Sequence, residues 1–262
     1  MMNGAGRLDG MCVLTFHRVV EGCERDHDIT WTSFHGLLDG IARSHYPIET
    51  RLGSNDSLRK PSVALTIDDG TEDHLHVGEE LAKRGMAGIF FVPAGKVGAP
   101  GRLSIQQLRQ LHALGHIIGS HSFSEVPLRN GLPRQQITRE LGDSRAFLED
   151  TLGTEVSYFA PPGGIGCRWL RRELRRHGYQ ASRSMAWGIY RSLHKRWAIP
   201  CVPVTEFTLA HGWIRTALSA HALGFAMRST WVIKSIVPRP VRGAIRKILH
   251  GPFRALEPRA TS

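Results

Sequence analysis

Cysteine is scarce and scattered: the four in this 262-residue chain, Cys12, Cys23, Cys167 and Cys201, form no CxxC pair. That spacing excludes a disulfide scaffold, argues against a zinc knuckle or redox dithiol, and reads most simply as a chain kept in a reducing compartment. Long apolar runs are missing as well. The first ten residues hold no apolar core of leader length, and the most apolar late stretch, 213–237, is broken by Arg215, His221, Arg228 and Lys234, which are costly in hydrocarbon. A cytoplasmic protein without a membrane span is therefore expected. Internal repeats and low-complexity segments are also absent. With 41% hydrophobic and 22% charged residues the chain can bury a sizeable core, which excludes a disordered or collagen-like molecule.

Acidic residues are outnumbered, 23 against 34 Lys and Arg, for a net charge of +11. Residues 228–262 hold eight basic residues and one acid, so seven of those eleven charges are local. The expected division is a barrel domain over 1–210 and a basic helical extension and tail over 211–262. Trp231, Ile233, Ile236 and Ile245 interleave there with Lys234, Arg239, Arg242 and Arg246. Such a pattern suits peripheral contact with the inner face of an anionic membrane, or equally a final helix with a solvated basic face. Nucleic acid is not an expected partner, because no recognised binding fold or aromatic platform accompanies the charge.

Short apolar β-rich runs alternate with helical patterns, which predicts an α/β fold with a mostly parallel sheet or barrel. The predicted strands are 11–17, 63–68, 88–93, 116–120, 157–161 and 180–184; the predicted helices are 73–84, 104–114, 133–152 and 167–177. Ser104 and Gln107 stand at capping-box spacing before the second helix. In a parallel barrel the C-terminal strand ends converge on one face, where ligands bind. Those ends carry His17, Asp68 with Asp69, His121, and the Ala160-Pro161-Pro162-Gly163-Gly164 turn.

Asp68 and Asp69 close a buried strand with their side chains pointing in different directions, so one can ligate a cation while the other serves as a base. The same Asp-Asp-Gly run also reads as a simple turn capping the next helix. His121 and Glu125, at i, i+4 spacing, would share one face of a helical turn and complete a three-ligand open site with one Asp, suited to zinc or, given the harder donor set, to manganese, cobalt or nickel. Taken singly, each is as well explained as a satisfied core or surface group. His74 and His76 follow the Asp-Asp turn on a predicted helix, as solvated positions unless one lies near the site.

Thr66-Ile67-Asp68-Asp69-Gly70, the run 115–128 (GHIIGSHSFSEVPL), the strand 87–95 (AGIFFVPAG) and the loop 159–164 (FAPPGG) occur in the order and at the separations of the polysaccharide deacetylases, the NodB-like carbohydrate esterases, which the chain resembles from about Met11 to Glu206. The resemblance implies an incomplete or distorted (β/α) barrel and metal-dependent removal of an acetyl group from a sugar. It makes Asp68 the general base and Asp69 and His121 metal ligands. Glu125 occupies the position of the second ligand histidine, and the backbone N–H of Gly163 that of an oxyanion donor. Ala160 stands where many members have an arginine that orients the base. Val13-Leu14-Thr15-Phe16-His17-Arg18-Val19 resembles a first strand whose histidine enters the site in exopolysaccharide-type relatives, which favours His17 as general acid over His211 in Leu209-Ala210-His211. Pro162 and Trp187 fall where the family lines its substrate pocket, although a tryptophan is also a common packing residue.

Three functions remain open from sequence. The first is a carbohydrate N-deacetylase acting on an acetylated glycan or lipid-linked sugar with zinc or a similar ion. The second is a catalytically silent glycan-binding relative whose metal site has decayed at Glu125 and Ala160. The third is hydrolysis of an amide in small-molecule metabolism.

Overall fold

The computed structural model describes residues 8–129, 131–164, 168–210, 212 and 214. The strands are β1 (Met11–Phe16), β2 (Arg18–Val20), β3 (Asp28–Thr30), β4 (Ser62–Asp68), β5 (Ile89–Val92), β6 (Ile117–Ser120), β7 (Tyr158–Phe159), β8 (Ala181–Trp187) and β9 (Ile199–Pro203). The helices are α1 (Trp31–Ser44), α2 (His74–Lys83), α3 (Ile105–Ala113), α4 (Arg134–Thr138), α5 (Ser144–Leu152), α6 (Arg168–Arg176) and α7 (Glu206–Ala210). A π-helical turn, Arg139–Asp143, joins α4 and α5 into one run.

Seven parallel strands close into a barrel in the order β1-β4-β5-β6-β7-β8-β9, and β9 pairs back onto β1. The distortion expected from the resemblance takes this form: seven strands rather than eight, with the β8–β9 register shifting between Arg183 and Trp187. β2 and β3 make a separate two-stranded ribbon.

Strand alternation sorts the core into two layers. Cys12, Leu14 and Phe16 of β1 and Val63, Leu65 and Ile67 of β4 point outward and pack with helix residues such as Phe34, Leu38, Val77, Leu81 and Leu108. Their neighbours Met11, Val13, Ala64, Ile89, Phe91, Ala181 and Cys201 fill the barrel interior. The interior is narrow: a Cβ on Gly119 would sit 2.6 Å from the Phe91 ring, so the aromatic occupies the space a side chain there would need. The same period of two carries Thr66 and Asp68 of β4, and Thr15 and then His17 beyond β1, inward toward the strand ends.

All six predicted strands and all four predicted helices are present, with shifts of a few residues at their ends. The capping box forms as expected, Ser104 accepting from Gln107 N and the Gln107 side chain from Ser104 N. The elements outside the expectation are β2, β3, α1, β9 and α7. α1 starts at a Thr30 cap and buries Phe34, Leu37, Leu38 and Ile41. β9, which carries Pro200 and Pro203, pairs with β1 and closes the barrel. The expected basic extension over 211–262 lies outside the described residues apart from Gly212 and Ile214. Among the described residues no helix is long and apolar enough to cross a membrane.

Between α2 and β5, His116 is buried and fixed as one neutral tautomer. Its Nδ1 accepts from Gly88 N at 3.1 Å and its Nε2 donates to Gly78 O at 2.9 Å. Burial holds both His116 and His74 below the ordinary imidazole value of 6.5. As pH falls, the unfolded chain takes up those protons first, so their contribution to stability is full above 6.5 and declines as pH drops through and below it. Melting temperature is therefore expected to fall between pH 7.5 and pH 5, and His116→Gln, which carries no titrating ring, to show a shallower decline over the same range.

Candidate active site

At the end of β4, Asp68 is 3% exposed, and its Oδ2 pairs with the guanidinium of Arg183, which is wholly buried on β8. Arg183 also donates to the Met185 thioether at 2.9 Å and lies 5.4 Å over the Phe91 ring. Burial alone would lower the Arg183 pKa; the adjacent Asp68 carboxylate outweighs it and raises the value. The second carboxylate oxygen, Asp68 Oδ1, is buried without a hydrogen-bond partner among the described residues. One oxygen is thus anchored and the other left available.

Sequence reasoning missed Arg183. Its signal was a lone charge inside Ala181-Ser182-Arg183-Ser184, a run that must be buried and therefore needs an opposite charge. Ala160, at the position where an arginine was absent by resemblance, makes only backbone hydrogen bonds, to Ser120 and His121; the cation that contacts Asp68 comes from the next strand.

Asp69 follows in a left-handed conformation (φ 81°), which turns its carboxylate away from that of Asp68 and toward His121. The His121 Nδ1 donates to Ala160 O at 2.7 Å, so Nε2 is the nitrogen that faces Asp69 Oδ1, at 3.5 Å. Burial would raise the Asp69 carboxyl, but the His121 contact and the potentials of His17, His121 and His74 win and hold it well below the usual carboxylate range.

Glu125 departs from the expected arrangement. Residues 121–125 form no helical turn: Ser122 and Glu125 both have positive φ, 65° and 61°. The segment is pinned instead by buried Glu140 of the π-helical turn, whose Oε2 accepts from Phe123 N at 3.0 Å and Ser124 N at 2.9 Å. Glu125 is carried to Arg102, whose Nη2 lies 2.8 Å from Glu125 Oε2 while Nη1 donates to the Asp69 carbonyl. Among the described residues no group of three His, Cys, Asp or Glu side chains converges as metal ligands. Of the three expected donors the structure brings Asp69 and His121 together, and the third, Glu125, is engaged by a guanidinium.

His17 lies at the same end of the barrel. Its ring stands 4.9 Å from that of His27, its carbonyl accepts from His74 Nε2, and its Nδ1 is buried and unpartnered among the described residues. Burial, only partly opposed by Asp68 and Asp69, lowers its pKa. His74 is thus fully buried behind the site rather than solvated, whereas His76 is on the surface beside Glu79. In the loop after β7, Pro162 is buried, and Gly163 is exposed with φ 72°. Gly164 (φ 71°) leaves no room for a side chain, since a Cβ there would lie 2.1 Å from Met185 Cγ. Trp187 ends β8, half-buried against the core. His211 lies outside the described residues.

Residues 55–182 match the family model described as polysaccharide deacetylase. The chain is 30% identical over 125 residues to the peptidoglycan-N-acetylmuramic acid deacetylase PdaA of Bacillus subtilis, a span of 47% of this chain and 46% of that protein. These matches support membership of the polysaccharide deacetylase family. The chain spans about half the length of the curated relatives it matches. The structure of IcaB from Ammonifex degensii superimposes on this barrel with a TM-score of 0.70 at 25% identity, covering 78% of this chain and 95% of that one. The Streptococcus pyogenes deacetylase PplD, solved with acetate, shares the fold at a TM-score of 0.72 and 18% identity, covering 79% and 97%.

Removing one partner of the Asp68–Arg183 pair strands the other charge in the barrel. Arg183→Met is expected to destabilise the protein by about 3–5 kcal/mol in urea unfolding. Arg183→Met combined with Asp68→Leu is expected to cost clearly less, because no unpaired charge remains.

Proposed function

We propose that this chain is a metal-dependent hydrolase that removes the acetyl group from an N-acetylated sugar of a polysaccharide or lipid-linked glycan precursor, in the manner of the exopolysaccharide-type deacetylases. The observation that carries the reading is the division of labour on Asp68: Oδ2 is tied to Arg183 and Oδ1 is unpartnered among the described residues, while the next residue, Asp69, faces His121. A carboxylate oriented in this way suits a general base.

In this reading Asp68 Oδ1 takes a proton from water as the water oxygen bonds to the acetyl carbon. The Gly163 N–H stabilises the developing oxyanion. The amide C–N bond then breaks, the sugar nitrogen takes a proton from His17, and acetate is the second product. Burial lowers the His17 pKa, and in this reading the proton it delivers is the one Asp68 has gained. Pro162 and Trp187 flank the sugar. Asp69 and His121 would hold the ion, and Glu125, here paired with Arg102, would be the third donor. When bound, zinc, or cobalt, nickel or manganese in its place, would polarise the acetyl carbonyl and acidify the attacking water.

The Arg102–Glu125 pair is also what favours the second reading, a catalytically silent glycan-binding relative. Acetate release from a panel of N-acetylated glycans and lipid-linked sugars, using metal-stripped protein with each ion added back, separates the two. Hydrolysis predicts release with at least one ion and a loss of about 10²–10⁴-fold in kcat for Asp68→Asn. Folded protein that binds glycan yet releases no acetate with any ion overturns it. Arg102→Gln, which frees the Glu125 carboxylate, is expected to tighten zinc or cobalt binding in calorimetry; weaker binding would instead give Arg102 the role of holding the Asp69 backbone.

A further inference from the structure

α6 reads Arg-Trp-Leu-Arg-Arg-Glu-Leu-Arg-Arg, and buries Leu170 and Leu174 while exposing Arg168, Arg171, Arg172, Arg175 and Arg176. Its one acid, Glu173, serves Arg172 and Arg176, at 3.3 and 2.9 Å. Among the described residues Arg168, Arg171 and Arg175 have no carboxylate partner. Arg171 and Arg175 sit at i, i+4, where like charges repel and oppose the helix.

These two arginines line a recess of about 310 Å³ whose other walls are Leu193, His194, Arg196 and Trp197. Arg196 lies 5.5 Å over the Trp197 ring. Among the described residues no carboxylate lines the recess. Three guanidiniums and an imidazole therefore surround one concavity with no negative charge among these wall residues, and a guanidinium fork matches phosphate oxygens two at a time.

The recess is remote from Asp68. Arg196 precedes β9, and its carbonyl accepts from Ser182 N at the start of β8 at 2.8 Å, so the arginines gather where strands begin, whereas Asp68 and His121 stand where strands end. Neither Arg171 nor Arg175 belongs to the candidate active site.

We propose that the recess between α6 and the turn Leu193–Lys195 is a binding site for a phosphate or diphosphate group, at the opposite end of the barrel from the candidate active site. The group neutralises the Arg171, Arg175 and Arg196 cluster. It comes either from a soluble phosphate ester or from the headgroup of an anionic lipid; in the second case it would tether this end of the barrel and leave the other end free.

Calorimetric titration of the full chain with inorganic pyrophosphate tests the site, with folding of each variant checked by circular dichroism. Wild type is expected to bind, Arg171→Gln/Arg175→Gln to bind about tenfold or more weakly, and Arg172→Gln/Arg176→Gln, with the same change in net charge, to stay near wild type. Equal losses in both variants, or no binding by wild type, overturn the proposal. Flotation with phosphatidylglycerol and phosphatidylcholine vesicles distinguishes the sources. Selective binding to the anionic vesicles that Arg171→Gln/Arg175→Gln abolishes supports the headgroup, and pyrophosphate binding alone supports the soluble ester. Pyrophosphate binding that duplex DNA displaces equally from wild type and from Arg171→Gln/Arg175→Gln reduces the effect to general charge and refutes the site.

Discussion

Asp68 and Arg183 meet inside the barrel almost without water, and much of the structure is arranged so that they can. Two buried charges are tolerated only when geometry and further contacts offset their lost hydration. Phe91 offers a ring face to the guanidinium and Met185 a sulfur, while Gly119 leaves the space that the Phe91 ring needs. Met185 in turn packs against Gly164, which ties the loop after β7 to the same cluster. The pair fixes one oxygen of Asp68 and thereby the direction of the other. Any chemistry at this end of the barrel inherits that direction.

Around this anchored pair the backbone is held in conformations that ordinary residues avoid. Asp69, Ser122 and Glu125 all have positive φ, and such strain persists only where the surroundings over-determine it. The surroundings do so here. Arg102 grips the Asp69 carbonyl, Glu140 caps Phe123 and Ser124, and Ser144 bonds the Ser122 carbonyl at 2.9 Å. The π-helical turn supplies both the buried Glu140 and, one residue beyond its end, Ser144; an extra residue in a helix thus aims side chains at a loop.

The strands were legible because burial on both faces forces near-continuous apolar runs, as in 63–68 and 88–93, and the residues that terminate them are polar and conspicuous. Asp68, Asp69, His17 and His121 could therefore be assigned to one end of a barrel from order alone. Two features could not. Arg183 acts by pairing across the barrel with Asp68, 115 positions away, and only the closure of the sheet brings β8 near β4 in effect. The course of 121–125 depends on Glu140 and Arg102, both distant in sequence. The i, i+4 spacing of His121 and Glu125 suggested a helical turn, but the His121 N–H and both side chains found long-range partners, Val92, Ala160 and Arg102, and the Glu125 N–H turned to Ser122 Oγ.

The Glu125–Arg102 contact is best understood as a matter of charge. A histidine at position 125 would bring a neutral donor, whereas glutamate brings a negative charge, which Arg102 meets while also bonding the Asp69 carbonyl. Arg183 neutralises Asp68, and Arg102 neutralises Glu125 while its other nitrogen holds the Asp69 backbone. The pair of Glu125 and Arg102 thus has the net charge of the residue it replaces by resemblance, and Asp69, facing His121, is the one site carboxylate with no guanidinium on its oxygens among the described residues. An electrostatically balanced substitution of this kind differs from simple decay, in which glutamate would stand without a compensating cation. It also puts Arg102, a residue that no ligand motif contains and that reaches the site from the loop before α3, in contact with both Glu125 and the Asp69 backbone.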